Sequence, residues 1–420
     1  MISSICSKES NFIAHWKGVF CQDKTFEIHV CSQVSSVPKS FWDLAKTSDL
    51  ANNRFLQKDY LTAMSSFCDT WMVLFSKNGT PVGYSVFYLS TFQSNELEHD
   101  LSQYFGIRDW IAKKWTTSKK EQHVLVCGNP LISGEHAFVF TDEITTIEQA
   151  NFLCDAMNAV VKEVRAKGIP LAICMMKDFY PANESLQEDL KKCGFSKMAG
   201  DPVMMLPILS EWKTLGDYQN DLISKFRSKS LTALEKSKDL IKRALSLEEM
   251  RQLSDEWYPL YAQVYDRAQY QWKKLSAQAI IDMKVALEED LVMQGYFYEN
   301  KMVGFSISIL GDQEMEAHLV GIDYEKNKQF QLYSRMLYDF VELGIERKKS
   351  WICFGRTALE IKSSMGALAL PAQALLRHSK PITNVLVRWI ISKFQSEEVS
   401  LRSVWKQGVL ERLTSKIKER

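Results

Sequence analysis

No two cysteines in this chain stand in a C-x-x-C pair, neither sign of charge prevails, and no long apolar run occurs. Each absence removes a class of protein. The nine cysteines (Cys6, Cys21, Cys31, Cys68, Cys127, Cys154, Cys174, Cys193 and Cys353) are scattered and odd in number. That spacing fits neither a zinc ribbon nor a disulfide framework, so reduced thiols in the cytoplasm are expected. Lys and Arg number 52 against 51 Asp and Glu, a formal charge of +1. No global field draws nucleic acid or anionic lipid, and a charged partner must be met by a local patch. The first residues, MISSICSKESNFIAHWKGVF, lack a basic stretch followed by an apolar one. No window approaches about 18 uninterrupted apolar residues, so a soluble cytoplasmic protein is expected. There is no Walker loop, Ser/His/Asp order or metal-ligand spacing, and no metal is expected.

What the chain does have is a repeat. Its 420 residues, 46% hydrophobic and 25% charged, suit two or three globular domains of roughly 100–200 residues each. WMVLFSKNGTPVGYSVFYL (71–89) is a pair of β-rich runs around Asn78-Gly79, a strong hairpin signal. GYFYENKMVGFSISIL (295–310) is a second pair, around Glu299-Asn300-Lys301, and Val82-Gly83-Tyr84-Ser85-Val86 matches Val303-Gly304-Phe305-Ser306-Ile307. The order of later elements repeats as well. HAFVFTD precedes a helix with Phe152, Leu153, Ala156, Met157, Val160, Val161 and Val164 at helical spacing, opened by a Thr145/Glu148 capping box. The strand LAICMM, a charged helix and LKKCGF follow. In the second half come EAHLVGID, a helix carrying Tyr333, Met336, Leu337, Phe340, Val341 and Ile345, the strand WICF, a charged helix and IKSSMGA.

The offset is 221 between Gly83 and Gly304, 181 between Asp142 and Asp323, and 172 between Gly194 and Gly366. The first copy therefore carries an insertion of about 40 residues after its hairpin, near 91–134, where loops tolerate length. The domains expected are 1–212, a basic helical linker over 213–245, 246–376, and a basic helical tail over 377–420.

On the repeat, on YQNDLISKFRSKSLTALEKS and on FGRTALEIKSSMGA, the chain resembles the GNAT acyltransferase superfamily, in its tandem-domain, Fem-like branch. The resemblance implies an α/β (α+β) fold: two tandem GNAT-like domains with mixed, mostly antiparallel sheets flanked by helices. It implies transfer of an acyl or aminoacyl group to a small-molecule or peptide amine, from acyl-CoA (acetyl-CoA) or aminoacyl-tRNA. One feature departs from it. Where such domains hold the CoA pyrophosphate in a glycine-containing loop at the start of the long helix, residues 323–331 contain no glycine, although Lys326 and Lys328 could supply charge. The first copy puts Asp142 and Glu143 there and reads as degenerate.

The candidate site is the second copy. Arg356, at the end of a core strand after Gly355 and before Thr357, can hold a phosphate or carboxylate bidentately, or pair with Glu360 one helical turn on. Lys362 matches the family's lysine and otherwise lies on a solvated face, as Lys191 does in the first copy. His318, mid-strand beside the second hairpin, suits a general base, and Tyr333, early in the long helix, an acid for the leaving group; the plainer readings are a hydrogen-bonded strand histidine and core packing. Cys353 reads as core. Lys225 to Arg243 form a basic cluster for tRNA or an acidic head group. From 377 onward the tail can lie on an anionic membrane surface or pack on the domain. The rival reading is a GNAT scaffold without catalysis that binds a nucleotide-sugar, lipid head group or protein partner.

Overall fold

A computed structural model describes residues 14–21, 24–44, 53–92, 122–268, 273–380, 383–385, 388–389 and 401–418. GIRDWIAKKW, in the expected insertion, and most of NVLVRWIISKF, in the expected tail, lie outside these residues. The chain forms two compact units, each with its own sheet. The first draws on Met1–Phe179, Asn183–Gly200 and Gln373–Ser396, and the second on Tyr180–Ala182, Asp201–Ala372 and Glu397–Arg420. The boundaries expected at 212, 245 and 376 are therefore not those of the structure.

The first unit contains β1 (Ala14–Cys21), β2 (Lys24–Cys31), α1 (Lys39–Leu44), α2 (Lys58–Ser65), β3 (Thr70–Lys77), β4 (Thr80–Phe92), β5 (Gln122–Cys127), β6 (Phe138–Phe140), α3 (Thr146–Ala166), β7 (Leu171–Phe179), α4 (Glu184–Lys192) and β8 (Ser196–Ala199). The next strand, β9 (Val203–Pro207), belongs to the second unit. With it come α5 (Leu215–Asp221), α6 (Ser224–Lys236), β10 (Ile241–Ala244), α7 (Leu247–Gln252), α8 (Ser254–Tyr265), α9 (Ala277–Leu287), β11 (Leu291–Tyr298), β12 (Lys301–Leu310), β13 (Glu314–Ile322), α10 (Tyr324–Phe330), α11 (Leu332–Glu346), β14 (Trp351–Cys353), α12 (Leu359–Ser364) and β15 (Leu368–Leu370). β16 (Gln373–His378) returns to the first sheet, and α13 (Gln407–Lys418) packs in the second unit.

The strand orders are β1-β2-β3-β4-β5-β7-β16-β8, with β6 also on β4, and β10-β11-β12-β13-β14-β9-β15. All pairs are antiparallel except β5 with β7 and β13 with β14. The tandem, mixed and mostly antiparallel architecture expected from the sequence is the one found. The strand that follows each copy fills the slot before the last strand of the other copy's sheet: β9 lies between β14 and β15, and β16 between β7 and β8.

Local chemistry explains the repeat. Both hairpins turn on two residues in the left-handed region, Asn78-Gly79 (φ 53° and 77°) and Glu299-Asn300 (φ 50° and 63°), as the twist of paired strands requires. Lys301 is already in β12. Thr141 donates its N–H to Val82, and Asp323 donates to Val303, both at 2.9 Å, so Asp323 matches Thr141 rather than Asp142. Gly366 (φ 102°) closes its helix beneath Trp405, whose ring would lie 2.2 Å from any added Cβ.

Four local expectations change. The linker is not helical throughout, because Ile241–Ala244 is an edge strand against β11. Arg377 and His378, placed in the tail, belong to β16, while Val404, Trp405, Val409 and Leu413 are core residues of the second unit. The long helix near 323 is split by Gln331 (φ 51°) into α10 and α11. Finally, α3 and α4 pack side by side and bring Cys154 and the cap residue Cys193 to a Cα separation of 6.4 Å, where they form a disulfide. A pair 39 residues apart leaves no motif, which is why reduced thiols were expected throughout.

One buried polar hub organises the second unit. Asp339 on α11 is 2% exposed and accepts from Tyr296 Oη at 2.8 Å, Lys242 Nζ at 3.0 Å and Arg335 Nε at 3.0 Å. Arg335 also donates to Ser237. This explains why a lysine-bearing segment becomes a strand: Lys242 leaves the edge and reaches the buried carboxylate. Asp339→Ala is expected to cost about 3–5 kcal/mol, because it takes the carboxylate from Arg335 and the acceptor from the buried Tyr296 hydroxyl, and leaves Lys242 with Glu342 alone. Chemical denaturation measures it, and a loss below about 1 kcal/mol would remove the hub from the account.

Candidate functional site

The second unit opens where β13 and β14 part. Their parallel pairing covers only Glu314 with Trp351, Met315 with Ile352 and Glu316 with Cys353. β13 runs on to Ile322 held by β12 alone. The chain after Cys353 instead follows β9, with Phe354 donating to Met204 O at 2.8 Å and Met204 donating to Gly355 O at 3.0 Å. Gly355 (φ 71°) and Ala358 (φ 54°) then turn it into α12. Among the described residues the β13 edge beyond Glu316 has no strand partner, which suits an extended amide-bearing ligand.

His318 sits at this divergence. Ile307 faces Leu319 and Ser308 faces Ala317, so His318 is the extra residue of a bulge. The residue is half-buried, but both ring nitrogens are shielded from solvent and neither has a hydrogen-bond partner among the described residues. Desolvation pushes its pKa from 6.5 down to about 4, which keeps the imidazole neutral throughout the neutral pH range.

Lys362 is buried, contrary to a solvated face. Its Nζ donates to Phe354 O, tying α12 to the strand end, and burial lowers its pKa to about 8 although Cys353 and Glu316 pull the other way. The helix-end hydrogen bonds identify its counterpart. Met365 N bonds Lys362 O as Cys193 N bonds Leu190 O, so Lys362 replaces a buried leucine and Lys191 is not its equivalent. Glu314, Glu316 and Cys353 lie together beside it, with single side-chain ligand atoms within 4.8 Å of one another. Burial raises the Cys353 thiol well above its ordinary value, which keeps it protonated and inert. The sequence reading missed the two glutamates. Their spacing of two on a core strand, which puts both on one face, was the available signal.

The other expected residues are dispersed. Arg356 is half-buried at the strand end and Thr357 exposed. Glu360 is exposed and pairs with Arg402, not Arg356, and Arg402 and then Lys229 hold its carboxyl below the usual range. Tyr333 is half-buried, with its phenol pushed up to about 12 by desolvation. Lys326 Nζ lies 4.8 Å over the Tyr298 ring, and Lys328 is exposed. Among the described residues, no hydrogen bond or ion pair joins His318, Tyr333, Lys326 or Lys328 to the Glu316–Cys353–Lys362 group.

The helix starts do not fit a CoA pyrophosphate. Asp323 Oδ1 takes the N–H groups of Glu325 and Lys326, at 2.9 and 3.2 Å, and Asn327 Oδ1 takes that of Tyr333 at 2.8 Å. The amides that would cradle a phosphate are occupied, the first of them by a carboxylate.

The sequence matches no protein-family model and no curated protein. Among solved structures, FemX superposes with a TM-score of 0.51 at 10% identity, covering 83% of this chain and 98% of that one. The fold is the tandem GNAT, Fem-like fold. A tandem GNAT protein from the clavulanic acid biosynthesis pathway aligns at 8% identity over 85% of this chain and 99% of that one, with a TM-score of 0.47. A GCN5-related N-acetyltransferase from Sphaerobacter thermophilus aligns at 9% over 84% and 96%, with a TM-score of 0.41. At these identities the likeness is one of fold, and the residues of this chain must carry the chemistry on their own.

Lys362 gives a direct test. A lysine at about 8 when folded and 10.5 when unfolded makes the unfolded chain bind more protons between those values, so its contribution to stability rises with pH across about 8 to 10.5. The span is worth about 3 kcal/mol. Lys362→Met is expected to lose that rise, measured as the difference between the two proteins' denaturation free energies against pH. Parallel curves would place the ammonium in solvent.

Proposed function

We propose that the second unit transfers an acyl or aminoacyl group to an amine, and takes it from a nucleic-acid-borne ester rather than from acyl-CoA. The observation that carries the reading is His318: a neutral imidazole whose two nitrogens have no partner among the described residues, at the bulge where β13 loses its neighbour. An incoming amine attacks the ester carbonyl, a nitrogen–carbon bond forms and the ester carbon–oxygen bond breaks. His318 accepts the proton the nitrogen sheds, and the Tyr333 phenol, kept protonated by burial, supplies one to the departing oxygen. Arg356 stands at the strand end with the planar donors that suit a phosphate or carboxylate. Lys362 acts one step back, by holding Phe354 O and so the turn that presents Arg356.

Two observations favour a nucleic-acid carrier. The helix starts are capped by Asp323 and Asn327, which disfavours a pyrophosphate there. On α6, Lys225, Lys229 and Lys236 are exposed and fall within about 40° of one another at 100° per residue, a cationic stripe whose Lys229 is felt at Glu360 beside the site. Lys238, Lys242 and Arg243 of the same cluster are in ion pairs with Glu235, Asp339 and Glu249 and contribute less.

Charged tRNA and acetyl-CoA, each labelled in the acyl group, are to be incubated with a panel of primary amines. Transfer from charged tRNA alone is expected, falling by about 10²–10⁴-fold in His318→Gln with an unchanged melting temperature. Substituting Lys225, Lys229 and Lys236 by Ala is expected to raise KM and flatten its salt dependence. Transfer from acetyl-CoA would reverse the donor assignment, and amine binding with no turnover from either donor would favour a binding scaffold.

The pH profile is a separate check. A base lowered to about 4 must stay deprotonated throughout the neutral range, so kcat/KM with a weakly basic amine should hold level down to about pH 5. A limb centred near 6.5 that disappears in His318→Gln would show an ordinary, solvated imidazole.

A further inference from the structure

The first unit holds a cavity of about 320 Å³ at the place where the second unit has its open strand edge. The correspondence is set by register. β4 pairs with β5 up to Phe87 and with β6 from Ser85, so opposite Val86 the segment 128–137 loops out, where β13 has the single extra residue His318 opposite Ile307 and Ser308. β6 pairs with β4 and not with β7, which leaves a gap between β6 and the end of β7. The looped-out segment walls that gap.

The lining has a definite character. Phe138, Phe140 and Phe179 supply three rings, with centroids 5.5 Å apart for Phe138–Phe140 and 6.2 Å for Phe138–Phe179. Around them stand the carboxylates of Glu135, Asp142 and Asp178, against one ammonium, that of Lys177. Lys177 Nζ is engaged by Asp178 Oδ2 at 2.7 Å and Ile132 O at 2.6 Å, so its charge is spent inside the wall. Asp178 is 1% exposed, sits in the left-handed region (φ 62°) and also accepts the N–H of Gly134 at 2.9 Å. Asn183 Nδ2 donates to Glu135 Oε1 at 2.6 Å and fixes that carboxylate. The polar groups are thus held by the protein, and the excess charge is negative.

We infer that this cavity binds a small organic cation: an ammonium, primary or quaternary, on an apolar or aromatic body. Ring faces and carboxylates both favour a cation over a neutral or anionic isostere, and the volume limits the ligand to a small molecule. The site lies wholly within the first unit and stands whether or not the second unit is catalytic.

Titration calorimetry on the full chain tests it with four probes built on one phenyl ring: benzylamine and benzyltrimethylammonium as cations, benzyl alcohol as the neutral isostere of benzylamine, and benzoate as the anion. The expected result is binding of one or both cations at least tenfold tighter than benzyl alcohol, with benzoate weakest. The double variant Glu135→Gln, Asp142→Asn is expected to reduce cation binding at least fivefold while circular dichroism and melting temperature stay those of the parent. Glu248→Gln in the second unit is expected to change nothing. Equal binding of cation and alcohol, no cation binding by the folded parent, or cation binding that survives the double substitution would each overturn the assignment.

Discussion

The structure depends on backbone hydrogen bonds made by two short strands to sheets other than those their sequence neighbours build. β9 follows β8 in the chain yet pairs with β14 and β15, and β16 follows β15 yet pairs with β7 and β8. Removing either leaves two strand edges without partners, at a cost that buried peptide groups make large. The same pairing shapes the site. Because the chain after Cys353 bonds to Met204 of β9, it turns away from β13, and the edge carrying His318 is left open.

On this shared frame the two copies have diverged by substitution at matched points. Opposite Val86 the first copy loops out 128–137, and opposite Ile307 and Ser308 the second has a one-residue bulge. A buried leucine, Leu190, is matched by a buried lysine, Lys362. Burying an ammonium in place of a leucine lowers stability even with Phe354 O as its acceptor, and a local cost of this kind accompanies function more often than packing. The first copy keeps the opening but fills its surroundings with rings and carboxylates, and so suits a different chemistry from the second. Reading it as merely degenerate overlooks a formed cavity.

Much of the architecture was legible in the sequence because it rests on local signals. The hairpins at Asn78-Gly79 and Glu299-Asn300, the Thr145/Glu148 capping box and the apolar stripe of α3 are each written in a few adjacent residues, and each appears as expected. The exchange of β9 and β16 was not legible, since period-two patterning marks a strand but not its partner. Nor was the Cys154–Cys193 disulfide, which depends on two helices packing. At the site, Arg356 and Lys362 were found from the Phe-Gly-Arg stretch, but whether Lys362 points out or in is fixed by packing alone. Its true counterpart is Leu190, which the 172-residue offset between Gly194 and Gly366 already places opposite Lys362 and the helix-end hydrogen bonds bear out, one residue from the Lys191 matched to it by residue type.

The claim that the strands are exchanged is tested most directly by backbone hydrogen–deuterium exchange, read by mass spectrometry, on the full chain and on Met204→Pro. Proline at Met204 removes a donor from the middle of β9 and breaks its ladder. The account predicts faster exchange in β14 and β15, over residues 351–370, while β7 and β8 of the first sheet keep their protection. Loss of protection in β7 and β8 with 351–370 unchanged would contradict it and return β9 to the sheet of its own copy.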